Sequence, residues 1–280
     1  MSTLRRVCAL AVLILFPAIA GAQNAGPPDR LPPSEATAKE RLETTPRHGE
    51  FVDIPRPDSS SIRTWVSYPE RESRAGVVIV IHEVYGLSDW IRSVADQLAK
   101  EGFIAVVPDL ISGMGPGGGG TDSTTSRDQV VGLVRGITPD MFVARISAVR
   151  DWAVKLPSAN GQFATIGFCW GGARSFAMAG IQPYPKASVV YYGASPDSAT
   201  MPKTRAPVQG HYGGDDARVN ATIDPARKAM KKVKRNYEVF IYDGAGHGFL
   251  RQQEDRDGAN RKATELAWPR TAAFLRQYLK

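Results

Sequence analysis

Thiols and imidazoles are scarce in this chain of 280 residues, which has two cysteines, Cys8 and Cys169, and four histidines. Two cysteines rule out a disulfide framework, and Cys8 lies in a segment expected to be removed. His82-Glu83 is followed by Val84-Tyr85-Gly86 rather than by a second histidine four residues on, so no metal site is expected. The apolar run from Ala9 to Phe16 is shorter than the roughly 20 residues that a bilayer span needs. Charge of neither sign dominates. There are 35 basic and 28 acidic residues, and the one dense stretch, Lys228 with Lys231 to Arg235, reads as the solvated face of a helix. No nucleic-acid partner is expected. Four consecutive glycines, Gly117 to Gly120, lack the Lys-Ser/Thr pair of a phosphate-binding loop. No internal repeat and no second domain is visible. With 42% hydrophobic content the chain is ordinary globular material.

Residues 1–22 have the form of a secretory signal. Arg5-Arg6 is the basic region, residues 9–16 the apolar region, and Ala20-Gly21-Ala22 the small-residue cleavage site. Cleavage would place the mature protein in the periplasm or outside the cell, with no stable membrane span. It would leave 33 basic against 28 acidic residues, about +5, and Cys169 as the one remaining thiol. An exported protein with one unpaired cysteine is unusual, because such compartments oxidise thiols.

Residues 23–48 are rich in Pro, Ala, Thr and Glu. They read as an extended lead with little core, holding one helical turn near residues 36–42. The remainder, 49–280, reads as a single domain. Residues 49–54 and 61–68 alternate apolar and polar and suggest an antiparallel edge pair. Residues 76–81, Gly-Val-Val-Ile-Val-Ile, form a β-branched run suited to a strand buried on both faces. Further strands are expected at 103–107, 163–166, 187–192, 207–212 and 237–242. Helices are expected at 88–100, 138–156, 173–180, 224–235 (capped by Asp224) and 262–279. Residues 111–127 read as a long mobile loop near the site. Alternating strands and helices give an α/β fold with a mostly parallel central sheet and helices on both faces.

The chain is organised around Gly167-Phe168-Cys169-Trp170-Gly171-Gly172. A reactive side chain between glycines, after a strand and before a small-residue helix, has the form of a nucleophile elbow. Asp215-Asp216 follow the strand at 207–212, and Gly246-His247-Gly248 follows the last strand. Nucleophile, acid and base thus stand in the order expected on an α/β-hydrolase sheet. His247 would take the thiol proton and return it to the leaving group. A carboxylate would fix the imidazole tautomer. Asp216 is favoured for this because the Gly213-Gly214 turn carries it further round the bend, leaving Asp215 to cap the turn. The oxyanion needs two backbone N–H groups, expected from Trp170 and Val84. His48, His82 and His211 are given no catalytic role.

Three segments together resemble the dienelactone hydrolases, or carboxymethylenebutenolidases. They are residues 167–172, His82-Glu83-Val84-Tyr85-Gly86 and Gly246-His247-Gly248-Phe249. The resemblance runs from about residue 51 to residue 280. It implies a Cys169-His247-Asp216 triad on an α/β-hydrolase fold, acting without a cofactor on a small ester or lactone through a thioester acyl-enzyme. It further implies that Glu83 holds the resting thiol and helps generate the thiolate. Arg251 and Tyr85 would bind substrate, with Arg251 meeting a substrate carboxylate where one is present and Arg127 as one candidate for a second cation. Gly248 stands where family members carry a hydroxyl residue, which removes one polar substrate contact. A broader carboxylesterase or thioesterase is the alternative activity. A non-catalytic binding protein on the same fold would have no need of all three triad residues.

Overall fold

The structure, a computed structural model, describes residues 30–197 and 201–280. The secretory-signal reading at 1–22 lies outside the described residues. Residues 31–280 form one compact unit.

Among the described residues eight strands make one sheet. In chain order they are β1 (Gly49–Pro55), β2 (Ser61–Ser67), β3 (Ala75–Ile81), β4 (Ile104–Pro108), β5 (Ala159–Phe168), β6 (Ser188–Tyr191), β7 (Val208–Gly213) and β8 (Tyr237–Tyr242). Across the sheet the order is β1-β2-β4-β3-β5-β6-β7-β8. β1 pairs antiparallel with β2, and β2 with β4, while β4 through β8 are parallel. All seven residues of β3 are buried, as the continuous β-branched run requires of a central strand covered on both faces.

The helices are α1 (Ala38–Thr44), α2 (Asp89–Lys100), α3 (Arg127–Arg135), α4 (Pro139–Ala153), α5 (Trp170–Met178), α6 (Ala217–Asn220), α7 (Ile223–Lys232) and α8 (Ala259–Tyr278). On one face of the sheet Trp90, Val94 and Leu98 of α2 and Ala267, Trp268 and Leu275 of α8 bury against Val78, Val80 and Ile166. On the other, Phe142, Ile146 and Val149 of α4 cover Val77, Ile79 and Ile81. Phe176 of α5 and Ile223 and Met230 of α7 cover Val190 and Val208. Among the described residues four α-helices start on side-chain caps, one of them α6 behind Asp216. Ser88, Ser126 and Thr138 accept from the N–H groups of Ile91, Gln129 and Met141, satisfying donors the helices cannot.

The structure differs from the sequence expectation in several places. The lead is more tightly docked than its composition suggests: Pro32, Pro33 and Ser34 are buried, and α1 packs on α2. Its contacts combine proline carbonyls and long polar side chains with the isolated apolar residues Leu31 and Ala38, too few to leave a periodic signature. The loop expected to reach residue 127 hands over to α3, a nine-residue helix interrupted by Gly132. α7 starts one residue earlier than Asp224, so Asp224 lies in the first turn and Thr222 is the flanking residue. β5 runs from Ala159 to Phe168, longer at both ends than the expected 163–166. The glycine run lies beside the β1–β2 hairpin, where Gly118, Gly119 and Gly120 share a depression with Ser59, Ser60 and Arg63.

Candidate active site

Because β3 and β5 to β8 are parallel, their C-terminal ends open on one edge of the sheet, where active groups of such folds collect. Five loops leave that edge and carry, in turn, residues 82–87, Cys169, Tyr192, Asp216 and His247.

Cys169 sits between β5 and α5 with φ 54° and ψ −114°, in the left-handed region that costs a non-glycine residue conformational energy. The turn is possible only because its neighbours lack side chains. A Cβ at Gly167 would lie 2.0 Å from the Gly171 carbonyl oxygen, and one at Gly171 would lie 2.2 Å from that of Ile81. The Cys169 N–H donates to Tyr191 O at 3.0 Å, tying the elbow to β6. Its side chain is partly exposed at the N-terminus of α5, where the helix dipole favours an anion.

His247 Nδ1 lies 2.5 Å from Asp216 Oδ2. Asp216 is buried at the start of α6 and also accepts from the Val219 N–H, at 3.4 Å. Asp215 points elsewhere, pairing with Arg256 at 2.6 Å. Burial works against the His247 imidazolium, but the bond to Asp216 and the nearby Cys169 outweigh it and raise the group to about 9. Burial would raise Asp216; its bond to His247 prevails and holds it below the usual carboxylate range. The Cys169 side chain is in hydrogen-bonding and electrostatic reach of His247.

Val84 lies in the segment after β3, and Trp170 follows Cys169 as the first residue of α5. Among the described residues neither of their backbone N–H groups has a backbone acceptor. The 82–87 loop is braced from below. His82 is fully buried, with Nδ1 2.7 Å from Glu83 O and Nε2 accepting from the Leu110 N–H at 3.2 Å. Burial lowers its pKa, and its partners fit a neutral ring that donates at Nδ1. The ring stacks on Trp170, centroids 5.8 Å apart. Thr121 accepts from the Leu87 N–H at 3.0 Å and is itself held by Asp109 through its N–H (2.6 Å) and hydroxyl (2.9 Å). His211 is likewise interior, between Tyr242 and Gln209, with burial lowering it to about 3.

Glu83 is buried and faces Arg251, whose Nε donates to its Oε2 at 2.7 Å. No hydrogen bond joins Glu83 to Cys169 among the described residues. Burial raises the Glu83 pKa, with Arg251 opposing. Burial alone would lower Arg251, but Glu83 and Glu35 outweigh it and raise the guanidinium further. The Arg251 guanidinium carbon lies 5.0 Å from the centre of the Tyr85 ring, and that of Arg127 lies 4.2 Å from it. The structure thus brings Tyr85, Arg127 and Arg251 into one cluster beside Glu83. Gly248 has φ 78°, a conformation that a hydroxyl residue would adopt only with strain.

Two residues of the site carry no sequence signal. Tyr192, just past β6, has φ 39° and a ring 5.2 Å from that of His247. Its hydroxyl is buried without a regular hydrogen bond, in electrostatic reach of Glu83, Arg251 and Cys169. Strain at a strand end facing the base was the clue, and it exists only in the backbone angles. Glu35, from the lead, pairs with both Arg251 and Arg127.

Comparison with known proteins bears on this geometry. The pattern of the dienelactone hydrolase family matches residues 62–279. Relatives carrying the name "Putative carboxymethylenebutenolidase" include one from Salmonella typhimurium, 30% identical, with the alignment covering 72% of this chain and 77% of the relative. Another, from Methylorubrum extorquens, is 30% identical over 81% of this chain and 80% of its own length. A solved structure from Klebsiella pneumoniae, described as a "Putative Dienelactone Hydrolase", superimposes with TM-score 0.73 at 24% identity, covering 84% of this chain and all of that one. With an α/β-hydrolase sheet and a family match over most of its length, the chain belongs to the dienelactone hydrolase family and is a hydrolase acting on ester or lactone bonds.

Proposed function

We propose that the protein hydrolyses a small ester or lactone by nucleophilic catalysis at Cys169. The observation that carries this reading is the 2.5 Å approach of Asp216 to His247, on the sheet edge where Cys169 sits in a strained elbow. In its unprotonated form His247 accepts the Cys169 proton, and the thiolate attacks the carbonyl carbon. A C–S bond forms, and the carbonyl electrons move to an oxygen held by the Val84 and Trp170 N–H groups. The intermediate collapses to a thioester as the C–O bond breaks, and the imidazolium protonates the departing alkoxide. Water, deprotonated by His247, attacks the thioester. The C–S bond breaks, the acid is released, and the proton returns to sulfur. Asp216 holds the imidazole tautomer throughout. No cofactor enters the scheme.

The family resemblance assigns Glu83 to the resting thiol. The pairing with Arg251 supports a related role, in which a buried carboxylate near the site discourages a standing thiolate until substrate arrives. A neutral thiol is also slower to oxidise, which fits the export signal read at residues 1–22 and a periplasmic or secreted enzyme. Export is tested by sequencing the N-terminus of protein recovered outside the cytoplasm. A start at Gln23 is expected, and an intact Met1 would overturn it.

The activity is tested by turnover of p-nitrophenyl acetate and dienelactone by the mature protein beside Cys169→Ala. Wild-type turnover lost in the variant is expected. Equal inactivity across an ester and lactone panel would leave a binding protein. Turnover of short esters without dienelactone would identify a broader esterase.

A further inference from the structure

The N-terminal lead docks against Trp90, Gln253 and Arg251 and brings a carboxylate to the Tyr85, Arg127 and Arg251 cluster. Three bonds fix its course. Gln253 Nε2 donates to Pro32 O at 2.9 Å, Trp90 Nε1 to Pro33 O at 3.2 Å, and the Glu35 N–H to Arg251 O at 2.9 Å. Two prolines in succession stiffen the segment and reduce the entropy lost on docking. The Glu35 side chain is therefore placed by the fold. Its Oε2 accepts from Arg251 Nη1 at 2.5 Å, and its Oε1 pairs with Arg127 Nη2.

Arg127 opens α3 and Arg251 follows β8, so two cations from separate parts of the chain converge on the Tyr85 ring. Such convergence is unfavourable unless anions balance it. Glu83 and Glu35 supply that balance, and the four charges sum to zero. The family resemblance assigns Arg251 to a substrate carboxylate, yet here a carboxylate of the chain itself already bridges Arg251 and Arg127. The matched family region begins at residue 62, so Glu35 belongs to a segment outside it.

We infer that Glu35 is a specificity-determining residue: it fills the anion position between Arg127 and Arg251, and thereby directs the cleft toward esters or lactones whose group at that position is uncharged. The inference rests on the hydrolase reading above. A substrate carboxylate must either displace Glu35 or enter as a third anion beside two guanidinium groups that are already neutralised. An uncharged substituent meets neither cost and packs on the Tyr85 face. Removing the Glu35 charge frees one positive charge for substrate.

The test compares two esters that differ only in charge, 4-nitrophenyl methyl adipate and 4-nitrophenyl hydrogen adipate, with the full mature chain. In Glu35→Gln the ratio of kcat/KM for the anionic over the neutral ester should rise about tenfold, the scale of one freed charge in a half-exposed site. Glu35→Asp should keep the wild-type ratio, and adding Arg127→Gln to Glu35→Gln should cancel the gain. Glu35→Ala is a second neutral variant, and melting curves identify which of the two is folded. An unchanged ratio in a folded neutral variant overturns the inference. If no form, wild type included, cleaves either ester, the hydrolase reading falls separately. Calorimetric titration with adipate then decides for Glu35: tighter binding by about tenfold in Glu35→Gln supports it, and equal affinity overturns it.

Discussion

His247 Nδ1 meets Asp216 Oδ2 at 2.5 Å, while the adjacent Asp215 turns outward to Arg256. Two neighbouring carboxylates of the same type are thus given different tasks by one step of backbone. Asp216→Asn should lower kcat on p-nitrophenyl acetate by about three to four orders of magnitude, because the amide holds the wrong imidazole tautomer. Asp215→Ala should leave it within about twofold, its lost pair being solvent-exposed. Steady-state kinetics on the two variants decides, and equal losses would remove Asp216 from its role.

The same pair gives stability a pH dependence. His247 is raised to about 9 from an ordinary value near 6.5. A group with a raised folded pKa contributes stability that is fully present below the unfolded value and is lost as pH climbs through the folded one. The melting temperature should therefore decline between about pH 6.5 and 9. His247→Gln should flatten that limb. Asp216, held low, acts in the opposite direction: its contribution is present above the unfolded value and is lost as acid brings the pH down through the folded one. Melting curves from pH 3 to 10 on both proteins supply the check.

Buried Glu83 and Arg251 depend on each other. Glu83→Ala leaves a nearly buried guanidinium with Glu35 as its remaining acid partner and should cost about 3 kcal/mol in denaturant titration. Glu83→Gln, which keeps the shape, should also speed iodoacetamide labelling of Cys169 near neutral pH. Fast labelling of the unliganded wild type would contradict the restraining role given to Glu83.

The elbow glycines admit no side chain. A methyl group at Gly167 or Gly171 would press on backbone carbonyls of Gly171 or Ile81 rather than on movable side chains. Either Gly→Ala change should cost more than about 3 kcal/mol or abolish folding. Chemical denaturation against Gly132→Ala is the measurement, since nothing lies within 4 Å of a Cβ at that helical position.

Much of this was legible in the chain. β3 announced itself through five consecutive β-branched residues, and Cys169, Asp216 and His247 could be placed just beyond the ends of β5, β7 and β8 before any geometry. What escaped had no pattern to carry it. Pro32 and Pro33 bind through carbonyl oxygens, which any sequence possesses. Glu35 finds Arg251 across 216 positions of chain. Tyr192 is distinguished by a backbone angle. α3, only nine residues long and with a glycine inside, has too little apolar periodicity to stand out from the polar stretch before it.

Thr121 reaches Leu87 with one hydrogen bond and Asp109 with two, so both ends of the intervening segment are pinned independently of what lies between. Chain length there is uncoupled from chemistry. The glycines at 117 and 118, with open space where a Cβ would stand, lie between those two anchors, away from the hydrogen bond that joins Thr121 to Leu87. For an engineer it is a port: a tag, a spectroscopic reporter or a small domain inserted at residues 117–118 should leave the Thr121–Leu87 bond in place.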